Sequence, residues 1–399
     1  MPLDLSKVAL QIDSMVTRLR EDSREQERRV ASALEALHGA IASLAELKSK
    51  VAASKTSWLV AEVTTGLVDR CAPAPPPASY TAAAADGSSI DVDRHRSPRC
   101  YLINLGSSVI SYGAKPDADL DSLPRVCSLS EDMVLTSPQN QRNERPIEGP
   151  LLAIKRGVDE CRHLAGILQD LPAGGAYLAL LDGSLILWTL TEASYPEFVI
   201  DALLDKGFLG SLEVIRKLNA DRRLAVAGYI SFSRSADVAN LVKVALCPDK
   251  PVDCDRCSGG AARACDAVSG VLDQHIFSRL LAPGERSALF ISPSKVQKHY
   301  GEHRVHFFYL NTCDEIARVE VPAWVAADAS LLEMTHSLVL DQCRRGQGYP
   351  VCLSEAHEQA VLTMSDRERF WTLMEASMAD GEIPAPTSGK RTSKQTRWI

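Results

Sequence analysis

The tripeptide Asp-Gly-Ser occurs twice, each time after an apolar run: Asp86 follows YTAAAA and Asp182 follows AYLALL. A single Asp-Gly is most often the two-residue turn of a β-hairpin, because both residues tolerate positive φ. Two aspartates on apolar strands would instead lie near the core, where an unpaired carboxylate is costly. A divalent cation is the partner that two converging carboxylates serve best. Oxygen ligands favour Mg²⁺ or Mn²⁺, which also bind phosphate.

Two further side chains could complete such a site. Glu160 lies on the helix predicted between the two aspartates, with Asp159 on a different face, and taken alone it is typical of a solvated helix position. His357 lies on a later helix, for which we predict Ser354 as the cap and His357 in the first turn. An imidazole there could act as a metal ligand or as a general acid or base. The alternative is an ordinary polar histidine.

Four of the eleven cysteines cluster in one stretch, at Cys247, Cys254, Cys257 and Cys265. The central C-D-R-C spacing can place two thiolates on one metal, and four thiolates suit a closed structural zinc site. An iron–sulfur cluster and four reduced thiols are the alternatives. A zinc-binding structural module could coexist with any other function. The odd number of cysteines excludes complete disulfide pairing. Because the N-terminus also lacks the features of a secretory signal, we expect a reducing, cytoplasmic location.

The composition is that of an ordinary globular protein, with 45% hydrophobic and 24% charged side chains among 399 residues. It excludes a disordered chain and a disulfide-scaffold miniprotein. The net charge is −7, from 44 basic and 51 acidic residues. Proteins that coat nucleic acid by bulk electrostatics are usually basic, so any DNA contact here must be local or must depend on a partner. No apolar run is long enough to predict a membrane span.

The elements that must position these residues follow in a clear order. A helical arm, 1–71, precedes a proline-rich connector and a domain of strands and helices, 80–380. Within that domain we predict an apolar strand pair centred on the second Asp-Gly, an irregular insertion at 115–149 and a cysteine-rich insertion at 247–265. A flexible basic tail follows at 383–399. The pattern predicts a mixed α/β fold.

The arm carries a coiled-coil-like seam that packs either on its own domain or against another molecule. The seam consists of Val30, Leu34, Leu37, Ile41 and Leu44.

An ordered series of motifs from about residue 82 to residue 370 resembles the NurA nucleases of DNA double-strand break repair. The motifs are ADGSS, LLDGSLILW, AGYISFSRS, LAPGERSALF, HFFYLN, IARVEVPAWVA and HSLVLDQCRRGQGYPVCLSEAHEQAV. The resemblance implies an RNase H-like core, a homodimer and manganese-dependent 5′-to-3′ exonuclease activity. It also implies a partner, the hexameric HerA translocase.

By motif, the resemblance assigns Asp86 and Asp182 as catalytic aspartates that hold one or two metal ions. Glu160 corresponds to the acidic residue of the preceding helix. Tyr349 and His357 correspond to the C-terminal tyrosine and histidine. The implied reaction is in-line attack of water on a phosphodiester. Tyr349 would position the strand, because a phenol with a pKa of about 10 is a poor base at neutral pH.

Four arginines are candidates for contact with the DNA backbone, although an exposed arginine is usually just a soluble surface residue. Arg234 stands where many relatives carry lysine after the AGYIS-like strand. The other three candidates are Arg318, Arg344 and Arg345.

The sequence therefore predicts a divalent-metal-dependent deoxyribonuclease that uses Mn²⁺ or Mg²⁺ in DNA end processing or defence, with single-strand endonuclease activity as an extension. GxxxxGK[ST] is absent, so we expect any ATP-driven movement of DNA to come from a partner. The resemblance implies that this partner is a HerA-like hexameric ATPase. The alternative is a catalytically weak RNase H-like adaptor of a DNA translocase. The joint presence of Asp86, Asp182 and His357 argues against that alternative, because folding does not require this trio.

Overall fold

The computed structural model describes residues 4–93, 98–192, 195–257 and 263–383. The predicted basic tail, 383–399, lies outside the described residues apart from Ile383. The chain divides into two compact units. The first unit contains 1–73, 231–294 and 306–319, and the second contains 74–230, 295–305 and 320–399. The predicted arm therefore belongs to a larger unit, which also takes residues from the predicted nuclease domain.

The strands are β1 Glu62–Val63, β2 Arg70–Cys71, β3 Tyr80–Ile90, β4 Tyr101–Tyr112, β5 Asp117–Cys127, β6 Val134–Thr136, β7 Glu144–Pro146, β8 Ala176–Asp182, β9 Arg223–Ile230, β10 Arg286–Ser287, β11 Phe290–Ile291, β12 Val305–Asn311 and β13 Ile316–Pro322. The helices are α1 Leu5–Ile41, α2 Leu44–Ala52, α3 Ser130–Met133, α4 Pro150–Asp170, α5 Thr189–Glu192, α6 Glu197–Ile200, α7 Gly210–Leu218, α8 Asp237–Leu246, α9 Asp273–Leu280, α10 Ala323–Ala327, α11 Ala329–Arg345, α12 Val351–Ala360 and α13 Met364–Asp380. A π-helical segment, Asp201–Leu209, joins α6 to α7.

The second unit is built on five strands in the spatial order β9-β8-β3-β4-β5. Strands β3, β8 and β9 are parallel, and β4 runs antiparallel to both β3 and β5. Numbered along the chain, these strands lie 3-2-1-4-5 with the second one reversed. This is the topology of an RNase H-like sheet, so the predicted mixed α/β core is confirmed.

Two helices cover opposite faces of β3 and β4. Helix α4 buries a stripe at helical spacing that includes Leu151, Ile154, Val158 and Cys161, and Pro150 occupies its first turn. Gly87 faces α4, whereas Gly106, which pairs with Asp86 across the strands, faces α12. Because successive side chains of a strand alternate between faces, Asp86 points towards α12.

Two local expectations differ from the structure. The segment 115–149 is not irregular, because it contains β5, α3, β6 and β7. Nearly all of β5 is exposed on both faces, so it lacks the alternation that marks a half-buried strand. The second Asp-Gly does not join a strand pair, because β8 ends at Asp182. The first lies inside β3, which continues to Ile90.

The predicted seam of the arm lies partly inside the first unit. Val30 and Leu37 are buried against α8 and its neighbours, whereas Ile41 remains 43% exposed. Polar contacts fix the same helix: Gln26 Nε2 lies 2.8 Å from His275 Nδ1, and Arg29 donates to the Ser269 carbonyl at 2.9 Å. Of the two alternatives predicted for this seam, Val30 and Leu37 follow the first: they pack inside their own unit.

The N-terminal half of α1 has a second apolar stripe, which is exposed. Its exposed large apolar residues are Leu5, Leu10, Ile12, Met15, Val16 and Leu19. Among the described residues no single helix is long and apolar enough to span a membrane, and α1 and α2 meet that test only together, as a pair bent by 106°.

A buried polar cluster lies at the centre of the first unit. The Arg318 side chain is 1% exposed, donates to Asp237 at 2.9 Å and stacks 3.7 Å from the centroid of Phe307. Asp273 accepts hydrogen bonds from the backbone at the start of α8 and from Tyr309. Burial, followed by the nearby Asp237, raises the pKa of Asp273 to about 7. The prediction that Arg318 contacts DNA is wrong, because its guanidinium is enclosed in this cluster.

Candidate active site

The two Asp-Gly-Ser aspartates lie at the same level of adjacent parallel strands. The paired register of β3 and β8 ends at Ala85 and Leu181, so Asp86 and Asp182 are the next residue on each strand. Asp182 pairs in turn with Tyr229 of β9. Parallel strands bring equivalent ends to one edge of the sheet, and here that edge carries both carboxylates.

Glu160 approaches this level from α4, on the other face of the sheet. Its side chain is 13% exposed, and a Cβ on Gly87 would lie 2.7 Å from Glu160 Oε1. Any larger residue at position 87 would therefore displace the carboxylate. Arg156 Nε lies 3.2 Å from the same oxygen, but the geometry is not that of a hydrogen bond.

The environment of Glu160 favours its neutral form without a metal. The pKa of Glu160 is raised to about 8: burial is the largest cause, the Arg156 charge opposes it, and the charges of Asp86 and Asp182 add to it. The neighbouring Asp159 is different, because it pairs with Lys155 at 2.7 Å and Arg162 at 3.0 Å. Burial also raises the pKa of Asp182. The acidic cluster thus carries fewer compensating cations than its carboxylates require.

His357 contacts Asp86 directly, with 2.7 Å between Nδ1 and Oδ2. The imidazole is 58% exposed and the Asp86 side chain 16%. The predicted placement of His357 in the first helical turn is wrong. Helix α12 begins at Val351 after Pro350, so His357 lies in the last turn and Ser354 is an interior residue, not a cap. With Pro350 as its N-cap, the helix begins earlier in the sequence than the predicted cap, Ser354, would place it.

Tyr349 completes the group from the loop before α12. Its hydroxyl interacts with the Asp182 carboxylate, and its ring packs edge-on against Tyr229 with 5.4 Å between centroids. Burial and the charge of Asp182 raise the pKa of Tyr349 above its usual range. A phenol that holds its proton so firmly can orient the carboxylate but is unsuited to act as a base.

Comparison with known proteins decides the family. The family model of the NurA domain matches residues 80–362, more than half of the chain. The chain belongs to the NurA family. Among solved structures, the NurA nuclease from Sulfolobus solfataricus is similar over 96% of this chain and 98% of its own, with 13% sequence identity and a TM-score of 0.46. No curated protein matches. The predicted resemblance to the NurA nucleases is confirmed.

Several residues that position the candidate site are not predicted by the sequence pattern. Gly106 faces α12 so closely that a Cβ there would collide with the Ala356 carbonyl and the Ala360 amide. The Asn104 amide donates to the Gln359 and Ala360 carbonyls at 3.0 and 2.9 Å, and Ser88 donates to Ala360 at 2.5 Å. Together they fix the C-terminal end of α12, which carries His357. Gly106 and Asn104 lie in CYLINLGSSVISYG, where a glycine and a polar residue interrupt an apolar strand.

The loop after Asp182 is held by a carboxylate that was also not predicted. Glu320 is fully buried and accepts hydrogen bonds from Ser184 Oγ at 2.7 Å and from the Leu185 amide at 2.9 Å. Ser184 Oγ also accepts from Trp188 at 3.0 Å. A glutamate inside the apolar strand IARVEVP was the available signal. Its contacts fix the turn that follows Asp182.

The metal-binding predictions can be compared with the side-chain positions. In the described ranges no group of three or more His, Cys, Asp or Glu side chains is arranged to hold a metal ion. The donor chemistry nevertheless suits a hard cation, because carboxylate oxygens are the ligands such ions prefer. Asp86 and Asp182 lie close enough to Glu160 to affect its pKa, and Glu160 Oε1 accepts no hydrogen bond within the described part of the chain. A cation would require these side chains to turn towards one another. The divalent ion remains a prediction.

The three arginines other than Arg318 are exposed. Arg344 and Arg345 close α11, and Arg234 follows β9. Arg345 is already engaged, with Asp341 at 2.6 Å and the Tyr112 ring centroid at 4.2 Å. The role of Arg234, Arg344 and Arg345 in DNA binding remains a prediction.

The shifted pKa of Glu160 predicts a pH-dependent stability. The folded pKa of about 8 exceeds the ordinary value of 4.5, so the stabilising contribution is complete below about 4.5 and is lost as the pH rises through about 8. Glu160→Gln, which has no proton to lose, should stay more stable than wild type at the alkaline end in metal-free buffer. Urea unfolding across this range measures the difference, with the exposed Glu368→Gln as control. Parallel pH profiles for Glu160→Gln and wild type would contradict it.

Proposed function

We propose that this NurA-family chain is a divalent-metal-dependent deoxyribonuclease that hydrolyses phosphodiester bonds at Asp86, Glu160, Asp182 and His357. The observation that carries the proposal is the position of Asp86 and Asp182 at one level of adjacent parallel strands. Folding alone gives no reason to gather acidic side chains there, because like charges repel one another. Phosphodiester cleavage gives such a reason, since it requires a cation beside the phosphate.

The residues divide the chemistry among them. Asp86, Asp182 and Glu160 would hold Mn²⁺ or Mg²⁺, with His357 as a further ligand or proton carrier. When bound, the ion supplies a Lewis acid that orients water and neutralises charge on the phosphate. His357 directs Nδ1 at Asp86, which leaves its Nε2 to accept or deliver a proton at the reacting oxygens. Tyr349 holds Asp182 through its hydroxyl.

The two aspartates should be essential for cleavage. Asp86→Ala and Asp182→Ala should each lower the rate of DNA hydrolysis by at least about 10²-fold, the scale of a principal electrostatic contribution. Circular dichroism should show an unchanged fold, and the exposed Asp119→Ala is the matched control. Digestion of end-labelled DNA with Mn²⁺, with Mg²⁺ and after chelation measures the effect. A purified aspartate variant with near-normal activity would refute the site. Wild type inactive with either ion would favour the alternative, a catalytically weak adaptor of a DNA translocase.

We further propose that the enzyme acts as a homodimer beside a HerA-like hexameric ATPase in the cytoplasm, digesting DNA ends from 5′ to 3′ in end processing or defence. Three observations support this assembly: the net charge of −7, the absence of a P-loop and the exposed apolar side chains of α1, from Leu5 to Leu19. A weak intrinsic affinity for DNA makes delivery by a partner useful.

Light scattering should give a dimer, and the ATPase with ATP should accelerate digestion of long duplexes by raising the local concentration of DNA ends. Omission of ATP is the control. A monomer that digests long duplexes processively, with no effect of ATP, would contradict the assembly.

We also propose a structural zinc ion at Cys247, Cys254, Cys257 and Cys265. Cys247 and Cys254 pack against the same apolar cluster of the first unit. Burial raises the pKa of the Cys254 thiol, and each of the other three thiols raises it further, so the other three lie within electrostatic range of Cys254. Residues 258–262, between the last two cysteines, lie outside the described residues.

Zinc should co-purify with the wild-type chain in equimolar amount and be lost from Cys254→Ser. Elemental analysis measures the content, and Cys313→Ser, an exposed free thiol elsewhere in the chain, is the matched control. Finding neither zinc nor iron in protein purified without chelator would remove the proposal in favour of reduced thiols.

A further inference from the structure

Phe232 is an exposed aromatic residue in a strained backbone conformation. It is the second residue after β9, its side chain is 70% exposed, and its φ is +43°. Among the exposed large apolar side chains of the described ranges, no other is aromatic. A bulky residue at positive φ is a genuine outlier, and such strain persists only where the surroundings enforce it.

The surroundings of Phe232 enforce the conformation. The Glu315 carboxylate accepts hydrogen bonds from Ser231 Oγ at 2.9 Å to each oxygen and from the Phe232 amide at 2.6 Å. In the residues that follow Phe232, Ser233 Oγ lies 2.9 Å from Ser235 Oγ and accepts a hydrogen bond from the Ser235 amide. The loop is therefore fixed by its own polar contacts, while the phenyl ring gains little burial in return.

Folding does not explain this arrangement. Glycine would adopt the same φ at no steric cost, and a polar residue would avoid exposing an apolar ring to water. An aromatic ring held rigidly in solvent is, however, a surface on which a nucleobase can stack, and every base offers a π-face to it. Arg234, two residues further on, is exposed and cationic, which suits the phosphate that follows each base.

We propose that Phe232 is a base-stacking contact for a DNA strand and that Arg234 contacts the adjacent phosphate. This inference rests on the proposed function, in which DNA is the substrate. The aromatic ring would bind single-stranded or frayed DNA with little sequence preference, because stacking does not read base edges. This stacking contact would make single-stranded DNA ends the preferred substrate class.

Fluorescence anisotropy in EDTA, where no cleavage occurs, tests the contact directly. The probes are a 2-aminopurine-labelled single strand and a strand of the same length made of abasic sites. Phe232→Gly should weaken binding of the base-containing strand by about 10-fold and leave the abasic strand unaffected. It should also abolish the quenching of 2-aminopurine and raise the Tm, because glycine releases the strain. Phe232→Trp should retain the quenching, and Leu373→Ala, another exposed apolar residue, is the matched control.

Wild-type affinity of Phe232→Gly for both strands would overturn the proposal, and so would an equal loss for both. A lower Tm for Phe232→Gly would assign the ring a structural role and overturn it too. These binding outcomes are independent of the Asp86 and Asp182 activity assay, so failure of the stacking contact and failure of the catalytic assignment can be told apart.

Discussion

Two helices come so close to β3 and β4 that only glycine fits at the two points of contact, Gly87 and Gly106. Helix α4 brings Glu160 against Gly87, and α12 lies directly over Gly106. The first contact places a carboxylate beside Asp86 from one face of the sheet, and the second places His357 beside it from the other. Asn104 and Ser88, which are cross-strand partners, fix the end of α12 in this position. The geometry of the candidate site depends on these two close contacts at glycine.

The electrostatics of the site follow from the same geometry. Bringing Glu160 and two aspartates together in a partly buried place costs free energy, and the raised pKa values of Glu160 and Asp182 express that cost. Asp159, one residue away on the same helix, differs because it forms ion pairs with two cations, Lys155 and Arg162. The electrostatic cost is concentrated in the candidate active site, and perturbed pKa values cluster at functional sites.

Much of this architecture can be predicted from the sequence. The apolar runs locate β3, β4, β8 and β9, and the spacing of Leu151 to Leu168 locates α4. Strand β5 cannot be found this way, because a strand exposed on both faces has no hydrophobic period. Arg318 illustrates a second limit, since a buried and an exposed arginine look alike until Asp237 and Phe307 are placed around it.

The residues of the candidate site likewise divide into those that the sequence predicts and those that it does not. Asp86 and Asp182 can be proposed from repeated residue types, and the structure places them at one level of the sheet. Gly106, Asn104 and Glu320 act through long-range contacts that no local pattern records. The position of His357 in the last turn of α12 depends on where the helix begins, and Pro350 determines that start.

The central claim is that the carboxylates of β3 and β8 bind the ion that drives hydrolysis. Anomalous X-ray diffraction from crystals of the full chain grown with Mn²⁺ tests it most directly. The account predicts a manganese peak about 2.1 Å from carboxylate oxygens of both Asp86 and Asp182, which disappears in Asp86→Asn crystals. Manganese bound elsewhere, with no peak between these aspartates in protein that cleaves DNA, would contradict it.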